Sequence, residues 1–182
     1  MKNTIVVIPS RLGAERLKGK PLMHIKGIPM IIHVLKSAIK SGIGEVYVST
    51  PDKEILEVVH KNGGNGILTG DHPNGTSRVW ETFEKIKNED VDLIVNMQGD
   101  QVMLSPHSIS KLEKLMRNNH CDIGTLASNI KTKDEIMNPN IVKVQVNQEL
   151  KNDSFMIFRI GKNNGIFRIR KYVRLEIQFQ LL

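Results

Sequence analysis

Three short segments concentrate the residues able to act on a phosphorylated substrate. Residues 11–22 read Arg11-Leu12-Gly13-Ala14-Glu15-Arg16-Leu17-Lys18-Gly19-Lys20-Pro21-Leu22, with four cations and two glycines in twelve positions. This is neither Gly-x-Gly-x-x-Gly nor a Walker A loop. A dinucleotide's two phosphates can be held largely by backbone N–H groups, whereas a triphosphate that loses pyrophosphate demands more positive charge at the reacting centre. Arg11 and Lys20 supply such charge, so the segment points to nucleotidyl transfer rather than hydride transfer. A basic, solvated surface loop is the competing reading. Residues 96–100, Asn96-Met97-Gln98-Gly99-Asp100, set a carboxylate directly beyond a glycine that permits close backbone approach. Mg²⁺ prefers one or two carboxylates together with phosphate oxygens and water, so Asp100 is chemically adequate for it. Read alone, it fits a turn or capping aspartate equally well. Residues 70–78, Gly70-Asp71-His72-Pro73-Asn74-Gly75-Thr76-Ser77-Arg78, form a turn feeding a helix N-terminus whose N–H groups and Thr76 hydroxyl suit a base or phosphate.

The elements that must position these segments alternate along the chain. Residues 4–9 are a continuous β-branched run ended by Pro9, the pattern of a strand buried on both faces. Residues 29–39 place apolar side chains at 31, 34, 35 and 38, which is helical spacing. Residues 45–50 predict a second strand, with Thr50 capping a helix that has Pro51 at its first position and ends near Gly63-Gly64. A short strand at 67–69, a helix at 76–87 with Val79, Trp80, Phe83 and Ile86 on one side, and a buried strand at 91–97 follow. A helix from Ser105-Pro106 to Asn118, a strand at 123–130, a capping box at Thr132 and Glu135, and a strand at 141–146 continue the alternation. Such alternation means an open, mostly parallel Rossmann-like α/β sheet with helices on both faces, and ligands in that class sit outside the carboxyl ends of the strands. Beyond Glu149, Arg and Lys mix with Ile, Phe and Leu without a clean period, and turn signals occur only at 161–165. The expected organisation is a nucleotide-binding domain over 1–150 and an atypical basic tail over 151–182.

Composition narrows the function classes. With 182 residues, 40% hydrophobic and 25% charged, the chain suffices for one good core. No run approaches a membrane span, and the opening residues lead straight into a strand, so a cytoplasmic protein without membrane partners is expected. The single cysteine, Cys121, excludes an intramolecular disulfide framework and reads as a small buried apolar residue. The net charge of +7 lies mostly in the tail: residues 1–150 carry 19 basic and 17 acidic side chains, residues 151–182 carry 7 and 2. Aromatics at 4% leave little stacking material, which argues against nucleic acid as the partner.

Together the three segments resemble the 3-deoxy-D-manno-octulosonate (Kdo) cytidylyltransferases. That family opens on Ile-Pro-Ala-Arg and Arg-Leu-Pro-Gly-Lys-Pro-Leu; here stand Ile8-Pro9-Ser10-Arg11 and Arg16-Leu17-Lys18-Gly19-Lys20-Pro21-Leu22. Gly27-Ile28-Pro29-Met30-Ile31-Ile32-His33-Val34, the Asp71-His72 and Gly75-Thr76-x-Arg78 segment, and Asn138-Pro139-Asn140-x-Val142-Lys143-Val144 also match, so the resemblance covers residues 3 to about 146. It implies the nucleotide-diphospho-sugar transferase type of fold and transfer of CMP from CTP to Kdo, with pyrophosphate released, for lipopolysaccharide biosynthesis. It further implies that Arg11 and Lys20 contact the CTP phosphates, that Pro9, Ser10, His72, Gly75, Thr76, Arg78 and Gln98 border the nucleotide, and that Asp100 binds Mg²⁺. Lys20, Arg11 and Asp100 are the expected catalytic residues.

Two departures stand beside these matches. The family's Gln-Gly-Asp-Glu-Pro is Gln98-Gly99-Asp100-Gln101-Val102 here, and its Ser-Gly-Thr-Glu is Asn74-Gly75-Thr76-Ser77. Members also continue past this length into a segment that binds the sugar acid, adds a magnesium aspartate and builds a homodimer. The tail offers no secure match to that segment, so a shortened member is expected, with dimerisation in doubt. A CTP-binding remnant acting as an interaction protein is the alternative. Trp80 is expected in the core, Lys18 in solvent, and His24, His33, His60, His107 and His120 as packing or surface residues.

Overall fold

In the computed structural model, residues 3–13, 17–119, 123–130, 132–139, 141, 143–146, 155–158 and 171–181 are described. Glu15, Arg16, His120, Cys121, Asn140, Val142 and the turn at 161–165 lie outside them, as do the side chains of Lys143 and Val144. Strand β1 (Asn3–Pro9) leads through a 3₁₀ turn (Lys20–Leu22) and a two-stranded ribbon, β2 (His24–Ile25) and β3 (Ile28–Pro29), into helix α1 (Met30–Lys40). Then come β4 (Gly44–Thr50), α2 (Lys53–Lys61), β5 (Asn65–Leu68), α3 (Gly75–Ile86), β6 (Val91–Asn96) and α4 (Pro106–Asn119). Strand β7 (Ile123–Asn129), α5 (Lys133–Met137), β8 (Lys143–Val146), β9 (Phe155–Phe158) and β10 (Lys171–Leu181) complete the order.

The main sheet runs β5-β4-β1-β6-β10-β7-β9, with β8 paired to β10 off this path. Strands β5, β4, β1 and β6 are parallel, as the alternation predicts. Strand β10 is antiparallel to β6, β7 and β8, and β9 is antiparallel to β7. The open α/β architecture is therefore present, with an antiparallel half added to the parallel one.

Period-two alternation sorts the β-branched run of β1 between two cores. Val6 and Ile8 face a cluster with Ile31, Val34 and Leu35 of α1, Ile55 and Val59 of α2, and Ile109, Leu112 and Met116 of α4. Ile5 and Val7 face the opposite cluster with Val79, Phe83 and Ile86 of α3. Helices thus cover both faces of the parallel strands, and each fully buried Ile or Leu contributes about 1.5–3 kcal/mol. The chain winds from β1 through β4 to β5, then returns with α3 to lay β6 on the other side of β1. That reversal makes the carboxyl ends of β1 and β6 a topological switch point, the place where open α/β sheets form their ligand crevice.

Two local expectations need correcting. Helix α2 starts at Lys53 with Asp52 as N-cap, because Thr50 is the last residue of β4, its backbone still in register with Leu68. Trp80 is 51% exposed on α3, its ring 5.6 Å from that of Phe83; the side of α3 turned inward is that of Val79 and Thr82. The capping box at Thr132 and Glu135 is formed in both directions. Lys18 is exposed, His24, His60 and His107 are exposed, and His33 Nε2 packs against the Ile25 carbonyl oxygen at 2.8 Å. No helix among the described residues is long and apolar enough to cross a membrane.

Candidate functional site

The crevice is built from the loops that leave β1, β6 and β5. At the end of β1, Ser10 N–H donates to the Ser49 carbonyl at 2.9 Å, carrying the sheet register one residue past Pro9. The chain then turns outward at Arg11, whose side chain is exposed. Gly19 N–H closes the loop on the Leu12 carbonyl at 2.9 Å with φ of +70°, the left-handed region open to glycine at little cost. Lys20 follows at once as the first residue of the 3₁₀ turn, and buried Pro21 fixes that turn to the core. The loop's two ends are thereby pinned, and Arg11 and Lys20 are displayed on its rim.

The β6 loop arrives from the other side of the switch point. Gly99 lies so close to β1 that a Cβ there would stand 3.1 Å from the Pro9 carbonyl oxygen and 3.3 Å from Ser10 Oγ. The next residue, Asp100, places its Oδ2 2.8 Å from Lys20 Nζ. Gln98 donates from Nε2 to Asn96 Oδ1 at 3.0 Å and otherwise faces solvent. Ser10 Oγ is buried without a hydrogen-bond partner.

The β5 loop and α3 form the third wall. Asn74 in extended conformation caps α3 by accepting from Ser77 N–H at 2.9 Å. A Cβ on Gly75 would stand 3.2 Å from Pro9 Cγ and 3.5 Å from Gln98 Oε1, so the helix start, the β1 end and the β6 loop converge. Thr76 is exposed on the first turn of α3. Arg78, two residues further and so on the other side of the helix, is 3% exposed and donates to Thr69 Oγ1 at 3.2 Å. Burial lowers its pKa, and repulsion from Arg11 lowers it further, against the opposing pull of Asp52, Asp71 and Glu81. Arg78 thus lies within electrostatic reach of Arg11, with its own guanidinium buried behind the exposed one.

His72 is brought to the same wall with its Nε2 paired to the Glu81 carboxylate. Glu81 also accepts from Gly70 N–H at 3.0 Å and from Lys85 Nζ at 2.7 Å. The hydrogen bond from His72, then that from Lys85, holds its carboxyl down to about 2. Glu81 thus ties the loop to α3, a function that sequence reasoning missed because its partners lie nine and eleven residues upstream.

The nine residues expected at a nucleotide site and Asp100 all lie at these three strand ends: Pro9 closes β1, Ser10, Arg11 and Lys20 follow it, His72 leads into Gly75, Thr76 and Arg78 of α3, and Gln98 and Asp100 follow β6. No group of three or more His, Cys, Asp or Glu side chains suited to a metal occurs among the described residues. Asp100, 53% exposed, still fits Mg²⁺ chemically, since a hard cation held mainly by phosphate oxygens and water needs few carboxylates.

The family model described as cytidylyltransferase matches residues 5–180. A 3-deoxy-manno-octulosonate cytidylyltransferase of Nitrobacter winogradskyi is 45% identical over 142 residues, covering 77% of this chain and 56% of that protein. One from Rhodopseudomonas palustris is 44% identical over 143 residues, with 78% and 58% covered. The chain thus spans little more than half the length of these curated relatives. A solved structure of a CMP:2-keto-3-deoxy-manno-octonic acid synthetase complexed with CTP is 33% identical, covers 98% of this chain and 74% of its own, and superposes with a TM-score of 0.79.

Proposed function

Because the chain belongs to the cytidylyltransferase family, we propose that it transfers CMP from CTP to Kdo and releases pyrophosphate, serving lipopolysaccharide biosynthesis in the cytoplasm. The observation that carries this reading is the pairing of Lys20 with Asp100 at the β1/β6 switch point, where a cation and a carboxylate meet from loops eighty residues apart, with Arg11 exposed on the same β1 loop as Lys20. The names of the relatives supply the substrates.

In this reading the anomeric hydroxyl of Kdo attacks the α-phosphorus of CTP. A phosphorus–oxygen bond forms to the sugar, the hydroxyl proton is released to solvent, the bond to the β-phosphate oxygen breaks, and pyrophosphate leaves with the electron pair. Arg11 and Lys20 grip the triphosphate, and Lys20 stabilises charge at the reacting phosphoryl group by electrostatic preorganisation. Pro9, Ser10, Gly75, Thr76, Gln98, His72 and Arg78 border the nucleotide and fix its orientation, the larger part of catalysis in transfers of this kind. Asp100 would hold Mg²⁺, which supplies neutralisation of phosphate charge when bound.

Pyrophosphate release from CTP, followed with Mg²⁺ and with or without Kdo, tests the assignment. Release that depends on Kdo and disappears in Lys20→Ala supports it. Absence of release while CTP still binds would leave a nucleotide-binding protein in place of a transferase.

A further inference from the structure

Resting on the nucleotide-site reading above, we infer that Asp52 is a positioning residue for the phosphate-gripping loop, acting through the backbone amide of Leu12. Its carboxylate Oδ2 accepts from Leu12 N–H at 2.7 Å, across forty residues of sequence. Leu12 is the neighbour of Arg11, and its carbonyl is the acceptor that closes the loop on Gly19, the residue before Lys20. One carboxylate therefore stands behind both cations.

What Asp52 does not do makes the point. It occupies the N-cap of α2, where an aspartate side chain ordinarily accepts from an amide of its own first turn. Here the side chain makes no capping hydrogen bond. It turns instead to Leu12 and is braced by Thr50: Asp52 N–H donates to Thr50 Oγ1 at 3.1 Å, and Thr50 Oγ1 reaches Asp52 Oδ2 at 3.4 Å. Thr50 is itself wholly buried at the end of β4, which makes that brace rigid. The helix start is thus committed to the neighbouring loop. The negative charge of Asp52 also attracts Arg78 and so offsets part of the Arg11–Arg78 repulsion.

The experiment is calorimetric titration of CTP into wild type, Asp52→Ala, Asp52→Asn and Thr50→Val, with thermal midpoints measured on the same samples. Asparagine retains an oxygen that can accept from Leu12 N–H, and alanine does not. Asp52→Ala should weaken CTP binding about tenfold, the scale of one charge-assisted hydrogen bond, and lower the midpoint by a few degrees through loss of the Leu12 bond, so affinity is read well below the midpoint. Asp52→Asn should recover most of the affinity, and Thr50→Val should fall between wild type and Asp52→Ala. If Asp52→Ala does not fold, Thr50→Val carries the test, and wild-type affinity in it overturns the inference. Equal losses in the Ala and Asn variants, or no loss in either, also overturn it. Wild-type protein that binds no CTP would overturn the nucleotide-site reading itself.

Discussion

Lys20 Nζ and Asp100 Oδ2 sit 2.8 Å apart, so the groups proposed for phosphate and for Mg²⁺ hold one another across the crevice. Both side chains are partly exposed, at 35% and 53%, and exposed ion pairs are worth only about 0.2–1 kcal/mol. The pair is weak enough for ligands to part, yet its ammonium must leave before a cation can take the carboxylate. Replacing Lys20 with methionine should therefore tighten Mg²⁺ binding to nucleotide-free protein about two- to fivefold, while abolishing turnover. Calorimetry with Mg²⁺ alone checks the sign, and weaker or unchanged metal affinity would contradict it.

Gly99 is squeezed between Pro9 and Ser10, with 3.1 Å from its would-be Cβ to a backbone oxygen that cannot rotate away. Gly99→Ala should push the β6 loop off β1 by a few tenths of an ångström and lower stability by about 1–3 kcal/mol. Because Asp100 moves with the loop, kcat should fall as well. A thermal midpoint and kcat both equal to wild type would show that the loop absorbs the methyl group.

Glu81 titrates well below its ordinary 4.5, at about 2, first through the His72 hydrogen bond and then through Lys85. A carboxyl with a depressed folded-state pKa contributes stability that is present above the unfolded pKa and lost as pH falls through the folded one. Denaturant unfolding should therefore show stability declining between pH 4.5 and 2, with a shallower decline in Glu81→Gln. Superimposable pH profiles would show that the Glu81 cluster is not coupled to folding.

At the opposite end of the sheet, Arg117 joins α4 to β1 and β6. It donates to Asp92 at 3.2 Å and to Thr4 Oγ1 at 2.7 Å and pairs with Glu113. Arg117→Met should cost about 1–3 kcal/mol of stability, the scale of losing charge-assisted hydrogen bonds at a partly buried site. CTP affinity in the surviving folded protein should be that of wild type, since the crevice lies at the other ends of these strands. Titration at a temperature well below the midpoint separates the two effects.

How much of this was legible in the chain depended on the range of the forces involved. β1 and α1 declare themselves because burial on two faces or along one stripe writes a local period. The loops at 11–22, 70–78 and 96–100 could be singled out because the strands before them are legible and ligands of this fold class sit beyond strand ends; their residue types alone fit a surface loop or a turn as well. Asp52 was not, because its partner amide is forty residues away and its neighbours look like an ordinary helix start. Trp80 was misplaced by a single step around α3, where one residue turns the helix by a quarter of its circumference. Strand β10 escaped altogether. Its residues do carry a strand period, since Val173, Leu175, Ile177, Phe179 and Leu181 alternate with Arg174, Glu176, Gln178 and Gln180, but that run follows an aperiodic stretch, and its seat between β6 and β7 is set by partners far away in sequence.

That placement of β10 also dictates an order of events during synthesis. The parallel layer can assemble as soon as β6 leaves the ribosome, because all its partners precede it. β7, made next, finds no seat against β6; the slot between them stays empty until residues 171–181 emerge and Gln178 meets Asn96 on one side and Thr125 on the other. Until then the edges of β6 and β7 that β10 will cover are unpaired, the kind of template on which foreign strands dock. Closing that gap joins contacts of long sequence separation, which places it late and slow in folding.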